Sequence, residues 1–237
     1  MQLRFRDVLE AFHVPEKVVY EWIEKKNMPC TRANDQYHFN YIALLDWALE
    51  NKIQLTPDIL SLGEKEKQHA GILYEALKTG GIYYDVPGNN REEVIKSIVD
   101  LLPLPQKSNK ALLVSMFIAR EKLASTGVGN GIAMPHVRNP VVLSLARPSV
   151  TLSFLKSPVE FKANDHKPVY IVFTLLTPTV KEHLTLLSRL AFCLQNARLL
   201  EFLHIKASSE QILAEITVLE FTVSLNVNGN EKSGKNI

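Results

Sequence analysis

Residues 125–136 read Ser-Thr-Gly-Val-Gly-Asn-Gly-Ile-Ala-Met-Pro-His, and no other stretch restricts how the chain can fold as tightly. Glycines at three alternate positions, 127, 129 and 131, let a backbone approach another group closely or take positive φ, at an entropic cost. The run Gly131–Met134 reads as a buried strand. Pro135 ends it, because proline has no N–H to give to a ladder. His136 is then offered at a strand end, where α/β folds place their chemistry. A histidine held there can serve as nucleophile, proton carrier or metal ligand. A lone histidine more often just closes a turn, and these residues by themselves leave that reading open.

An apolar share of 46% and a charged share of 22% describe an ordinary soluble globular chain. Its 237 residues have room for one large domain, or for a small one and a medium one. The net charge of +2 provides no general basic field that would announce nucleic acid. Cys30 and Cys193 lie far apart and lack metal or redox spacing, so they read as small apolar residues. No apolar run approaches membrane-spanning length, and Met1-Gln2-Leu3-Arg4 lacks the apolar core of a signal peptide. The cytoplasm is the expected compartment.

Residues 1–54 form a small unit. Asp7–Phe12 reads as a short helix broken at Val14-Pro15, and Pro15 suits the first turn of a second helix running to about Lys26. Two short helices with a tight turn make a helix-turn-helix pattern. The Asn34-Asp35 turn, flanked by extended runs, reads as a two-stranded wing, and an amphipathic helix over Asn40–Asn51 closes the unit. The order of parts resembles the excisionase and MerR-like winged helix-turn-helix family, on Val14-Pro15-Glu16-Lys17-Val18-Val19-Tyr20-Glu21-Trp22-Ile23 and Asn34-Asp35-Gln36-Tyr37-His38-Phe39. That resemblance implies DNA contacts through Lys17, Lys25 and Arg32. Against it, residues 1–62 hold seven Lys/Arg and nine Asp/Glu, and an acidic module lacks the phosphate-neutralising term of DNA affinity. A module that serves dimerisation or docking is the equal alternative.

Residues 55–68 read as a linker, with Glu64-Lys65-Glu66-Lys67 as a solvated charge run. A second domain is expected over 69–217, with helices over 70–78, 90–102, 109–123 and 181–195 and near 198–205 and 208–216. Its strands are expected at 82–84, 149–155 and 169–176, the last apolar nearly throughout, like a central strand covered on both faces. Residues 218–237 form a C-terminal extension whose last ten residues are expected to be disordered.

Gly131-Ile132-Ala133-Met134-Pro135-His136 resembles the active-site signature of the EIIA components of the bacterial phosphotransferase system, in the mannitol, fructose and nitrogen-regulatory class. The resemblance covers about residues 70–217; one departure is Val137, where a small residue is common. It implies an α/β fold, a mixed sheet sandwiched by helices, preceded here by the small, mainly helical winged helix-turn-helix domain. It also implies that His136 is phosphorylated by an HPr-like carrier protein. Arg120 would line the site, as an arginine with the same lead does in the family, and His183, in Glu182-His183-Leu184-Thr185-Leu186-Leu187, would hydrogen-bond the phosphoryl group. Asn130 and Gly131, and less directly Ser125-Thr126, are further phosphate-binding candidates.

Read without the resemblance, Arg120 pairs with Glu121 or Glu182 on the surface, and His183 is a helix N-terminal histidine facing water. No third ligand stands at metal-site spacing from the two histidines, so neither a metal nor another cofactor is expected. The expected activity is that of a regulatory phosphohistidine carrier whose downstream target is unspecified and which can form a homodimer. The alternative is a DNA-binding regulator in which the second domain is a sensor or dimerisation unit.

Overall fold

A computed structural model describes residues 2–33, 36–56, 59, 71–137, 145–163 and 165–233, with side chains described as far as residue 221. In the N-terminal unit, β1 (Gln2–Arg4), α1 (Phe5–Phe12), α2 (Glu16–Lys25), β2 (Thr31–Ala33), β3 (Gln36–Asn40) and α3 (Tyr41–Glu50) follow in order. The strands form an antiparallel sheet in the order β1-β3-β2. The β2–β3 pair matches the expected wing, β1 adds a third strand, and the Asn34-Asp35 turn lies outside the described residues. Asn40 caps α3 by accepting from the N–H groups of Ile42 and Ala43, which satisfies two donors the first turn leaves open. Trp22 packs edge-on against Phe12 and tilted against Trp47, both with centroids at 5.5 Å, and the Trp47 indole N–H donates to the Lys26 carbonyl at 2.7 Å.

The second unit comprises α4 (Ile72–Gly80), β4 (Ile82–Val86), α5 (Arg91–Leu101), α6 (Lys110–Leu123), β5 (Gly127–Gly129), β6 (Ile132–Ala133), β7 (Ser149–Val159), β8 (Val169–Leu176), α7 (Val180–Cys193), α8 (Ala197–His204) and α9 (Ser209–Ser233). Asn90, Asn109, Thr179 and Asn196 cap four of these helices through their side-chain oxygens. The strands form one mixed sheet in the order β4-β7-β8-β6-β5. Its pairs are parallel for β4–β7 and β6–β8 and antiparallel for β7–β8 and β5–β6. Strand β8 is central, and its apolar side chains enter two cores. Ile171, Phe173 and Leu175 pack with α4, α7, α8 and α9, whereas Val169, Val172 and Leu176 pack with α5 and α6. The result is an α/β sandwich with helices on both faces of a mixed sheet.

Two boundaries differ from expectation. Residues 53–55 are tied down rather than solvated: the Gln195 amide donates to the Ile53 carbonyl at 3.1 Å and accepts from the Leu55 N–H at 2.9 Å. The charge run at 64–67 lies outside the described residues. The last helix does not stop near 216 but continues to Ser233, with 234–237 outside the described residues. Glu220 gives a reason for the extension. Its carboxylate accepts from the Leu73 and Tyr74 N–H groups at the start of α4 and lies 3.6 Å from the buried Arg189 guanidinium. Periodicity could not see that cap, because its two halves are 147 residues apart.

Removing one partner of a buried charged pair typically costs about 3–5 kcal/mol. Glu220→Ala is therefore expected to lower the unfolding free energy by about that amount in a denaturant titration. Exposed Glu201→Ala is expected to leave the midpoint unchanged.

Candidate functional site

Three elements converge on one point. Strand β6 pairs with β8, Ile132 opposite Ile171 and Ala133 opposite Val172. Past Pro135 the pairing resumes, His136 bridging Leu175, whose N–H donates to the Pro135 carbonyl at 3.2 Å. Proline is tolerated because the neighbouring strand uses its carbonyl and needs no N–H from it. The His136 Nδ1 lies 2.8 Å from the Met134 carbonyl. A carbonyl only accepts, so Nδ1 carries the hydrogen, and in the neutral ring Nε2 carries the lone pair. Val137, the departure from the signature, is buried among the side chains of α5 and α6.

Helix α7 brings the second histidine. Thr179 caps it, accepting from the Glu182 N–H, and His183 sits at the end of its first turn. The His136 and His183 rings are 5.0 Å apart, centroid to centroid. Burial, reinforced by the positive charge of Arg120, lowers the His183 pKa to about 4. The ring is therefore neutral at pH 7.

Helix α6 supplies Arg120 near its C-terminus. The guanidinium is not on the surface, and neither Glu121 nor Glu182 is its partner, contrary to the reading without the resemblance. It donates from Nη1 to the Ala124 carbonyl at 2.8 Å, and its Nη2 lies 3.8 Å from the Asp46 carboxylate of α3. That separation makes a charge contact without a hydrogen bond. Glu121 turns the other way: it accepts from the Thr126 N–H and hydroxyl and pairs with Arg91 at 3.3 Å. Glu182 is engaged by the Thr179 hydroxyl at 2.7 Å.

Arg120, His136 and His183 are 8%, 2% and 3% exposed. Within this cluster, Arg120 Nε and His183 Nε2 are buried and have no hydrogen-bond partner. A buried polar atom left unsatisfied typically costs about 1–3 kcal/mol. Two such atoms beside a buried guanidinium mark a place suited to an anion with several acceptor oxygens.

The glycine segment takes the close approach and positive φ expected of it, but away from the histidine pair. Gly131 has φ +73°, and a Cβ there would fall 2.1 Å from the Tyr170 ring; its carbonyl accepts from the Tyr170 and Ile171 N–H groups. Five residue steps of extended chain separate it from His136, about 16 Å at strand rise. Asn130 is held at that same far end, its N–H on Asp165 at 3.0 Å and its carbonyl facing His204 Nε2 at 3.3 Å. Asn130 and Gly131, expected as phosphate ligands, are thus placed in a tight turn and are not brought together with the histidine pair. The Ser125 hydroxyl donates to the Phe161 carbonyl and the Thr126 hydroxyl to Glu121, so both serve to anchor the loop. Lys17, Lys25 and Arg32 stand exposed on the N-terminal unit, with Glu16, Glu21 and Glu24 sharing the helix of the two lysines.

Sequence reasoning missed Asp46. Its side chain is 26% exposed, and desolvation raises its pKa to about 6 even against the pull of Arg120. A single aspartate in an amphipathic helix carries no local signal of a partner 74 positions away.

Residues 75–218, more than half of the chain, match the family described as "Phosphoenolpyruvate-dependent sugar phosphotransferase system, EIIA 2". A nitrogen regulatory protein of Pseudomonas aeruginosa is 35% identical over 150 residues, 62% of this chain and 94% of the relative. A PTS system fructose-specific EIIA component of Haloferax volcanii is 28% identical over 138 residues, 57% of this chain and 87% of the relative. The crystal structure of nitrogen regulatory protein IIA-Ntr from Neisseria meningitidis superposes with a TM-score of 0.54 at 31% identity, covering 61% of this chain and 98% of that one. A putative PTS IIA from Streptococcus mutans shares the fold at a TM-score of 0.51 and 19% identity, covering 64% of this chain and 96% of that one. The chain belongs to the EIIA 2 family of the phosphoenolpyruvate-dependent sugar phosphotransferase system.

Proposed function

We propose that the chain is a regulatory phosphohistidine carrier, similar in kind to the nitrogen regulatory proteins, that accepts a phosphoryl group on Nε2 of His136 from an HPr-like carrier. The observation that supports it most directly is the pairing of His136 and His183 rings at 5.0 Å beside the buried, unpartnered Arg120 Nε and His183 Nε2. The Nε2 lone pair attacks phosphorus in line with the bond to the carrier's imidazole nitrogen. As the new N–P bond forms, the old one breaks, and its electron pair returns to the carrier's ring. Positive charge grows on the His136 ring during transfer, and the Met134 carbonyl facing Nδ1–H stabilises it. Arg120 faces the phosphoryl oxygens with a permanent charge, and His183 sets a neutral ring beside the acceptor.

The N-terminal unit belongs to the same proposal. Its two helices, β2–β3 pair and closing helix follow the excisionase and MerR-like order, but α2 mixes Glu16, Glu21 and Glu24 with Lys17 and Lys25. Contact with the EIIA domain, rather than with phosphodiester, is the role we assign to it.

Incubation with phosphoenolpyruvate, enzyme I and an HPr-like protein is expected to add the mass of one phosphoryl group to the intact chain. His136→Ala should abolish the gain, and Arg120→Ala should slow it by about 10²–10³; a wild type of unchanged mass rejects the carrier reading. The His183 ring protons should show no titration through about pH 6.5, the ordinary histidine range, and should move near pH 4. Because the folded pKa lies below the unfolded one, the unfolded chain takes up this proton first as the pH falls. His183 therefore withdraws stability between about pH 6.5 and 4. Asp46, raised to about 6, acts oppositely, favouring the folded state as its carboxyl protonates. His183→Gln should shift the acid limb of a stability–pH profile accordingly. In a filter-binding assay at low salt the chain is expected to retain no DNA. Retention that falls steeply with salt and disappears on changing Lys17, Lys25 or Arg32 would restore the DNA-binding reading.

A further inference from the structure

An acceptor histidine must be reached in line by the donor's phosphorus, at a separation of about 3–3.5 Å. His136 is 2% exposed, so the described conformation does not admit a donor protein. The N-terminal unit packs against α7, the helix that carries His183. Helix α3 packs across α7 and β5, and Leu184 and Ala191 of α7 complete the hydrophobic cluster that holds Val8, Phe39, Leu44 and Trp47. Leu184 directly follows His183, so the docked unit covers the helix face next to the second histidine. Gln195 clamps the chain leaving α3 on both sides of residue 54. Beside the histidine pair, the charge that α3 sets against Arg120 is the Asp46 carboxylate, 3.8 Å from Nη2.

We propose that the N-terminal unit is an intramolecular cap that competes with the phosphoryl donor for the His136 face, with the Asp46 carboxylate standing where Arg120 would otherwise meet a phosphoryl oxygen. The carboxylate carries less negative charge than a phosphoryl group and sits beyond hydrogen-bond distance of Nη2, and Arg120 Nε has no hydrogen-bond partner in the capped state. A phosphoryl group on His136 would bring additional negative charge against Asp46 and occupy space the cap now closes. Like charges in a partly desolvated site repel strongly. Docking and phosphorylation are therefore antagonistic, and linkage requires the effect to be reciprocal: a docked cap opposes phosphoryl binding, and a bound phosphoryl group releases the cap. Release uncovers the apolar face of α3 and the adjoining face of α7 together. The charge on one histidine is thereby converted into exposure of a protein-binding surface. The inference rests on the carrier reading for its chemistry, but the closure itself is a matter of packing.

The test uses the full chain and two variants that leave His136, His183 and Arg120 in place. Asp46→Arg replaces attraction to Arg120 with repulsion, and Gln195→Ala removes the clamp on residues 53–55 without touching the site. Two rates are followed by mass spectrometry: carbethoxylation of His136 by diethylpyrocarbonate, and phosphoryl acceptance from an HPr-like donor. Both should rise in both variants, within the about 5- to 150-fold range of typical coupling. Amides of residues 41–50 should also exchange faster in the phosphorylated wild type than in the unphosphorylated one. Variants that carbethoxylate at the wild-type rate overturn the cap, whether or not they are phosphorylated. Faster carbethoxylation without phosphoryl acceptance by any chain retains the cap and overturns the carrier reading. Faster carbethoxylation with acceptance at the wild-type rate shows that the closure does not gate transfer and overturns the competition.

Discussion

The parallel pairing of β6 with β8 fixes where everything else in the EIIA domain stands. It begins at Gly131, where the absence of a Cβ lets the Tyr170 ring lie against the backbone, and runs to His136 opposite Leu175. Because β8 is buried on both faces, its register is set by two cores at once. A slip of one residue would turn Ile171, Phe173 and Leu175 away from α7 and into the space held by α5 and α6. The histidine inherits that precision. Its ring is further fixed by the Met134 carbonyl, so the nitrogen that bears the lone pair is decided by backbone geometry before any partner arrives.

Around that fixed point the charges are arranged in an unusually dry setting. A buried arginine with one carbonyl contact, one distant carboxylate and an unmatched Nε is a costly object, and a neutral histidine with an unmatched Nε2 beside it adds to the cost. Folding elsewhere must offset this, and several buried charges and helix ends do so. Glu121 anchors the glycine loop, Glu220 caps α4, and asparagine or threonine caps start the helices on both faces. An under-satisfied arginine and histidine side by side are suited to receiving a ligand with acceptor oxygens. The N-terminal unit matters to this arrangement because its α3 packs on α7 and sets the Asp46 carboxylate against Arg120.

Much of the architecture was legible in local patterns. Asn90, Asn109 and Asn40 declared three helix starts, the apolar run at 169–176 declared the central strand, and Pro135-His136 declared the strand end. Other residues carry local signatures that fit two roles. Glycine density at 127–131 suits a phosphate cradle as well as it suits close packing, and the choice lay in Tyr170 and Ala163, more than thirty residues on. Arg120 beside Glu121 looks like a surface pair until the helix is rotated so that the two side chains diverge, one toward Asp46 and the other toward Thr126.

Sequence by itself determined the elements, the central strand and the histidine at its edge, because hydrophobic period, caps and proline act within a few residues of where they are written. Tertiary structure alone decided that Arg120 and His183 meet beside that histidine, that Asn130 and Gly131 do not, and that Asp46 of a separate unit closes over the group. Those outcomes depend on contacts between residues 47 to 74 positions apart, and on a docking face shared by α3 and α7, whose register no local pattern encodes.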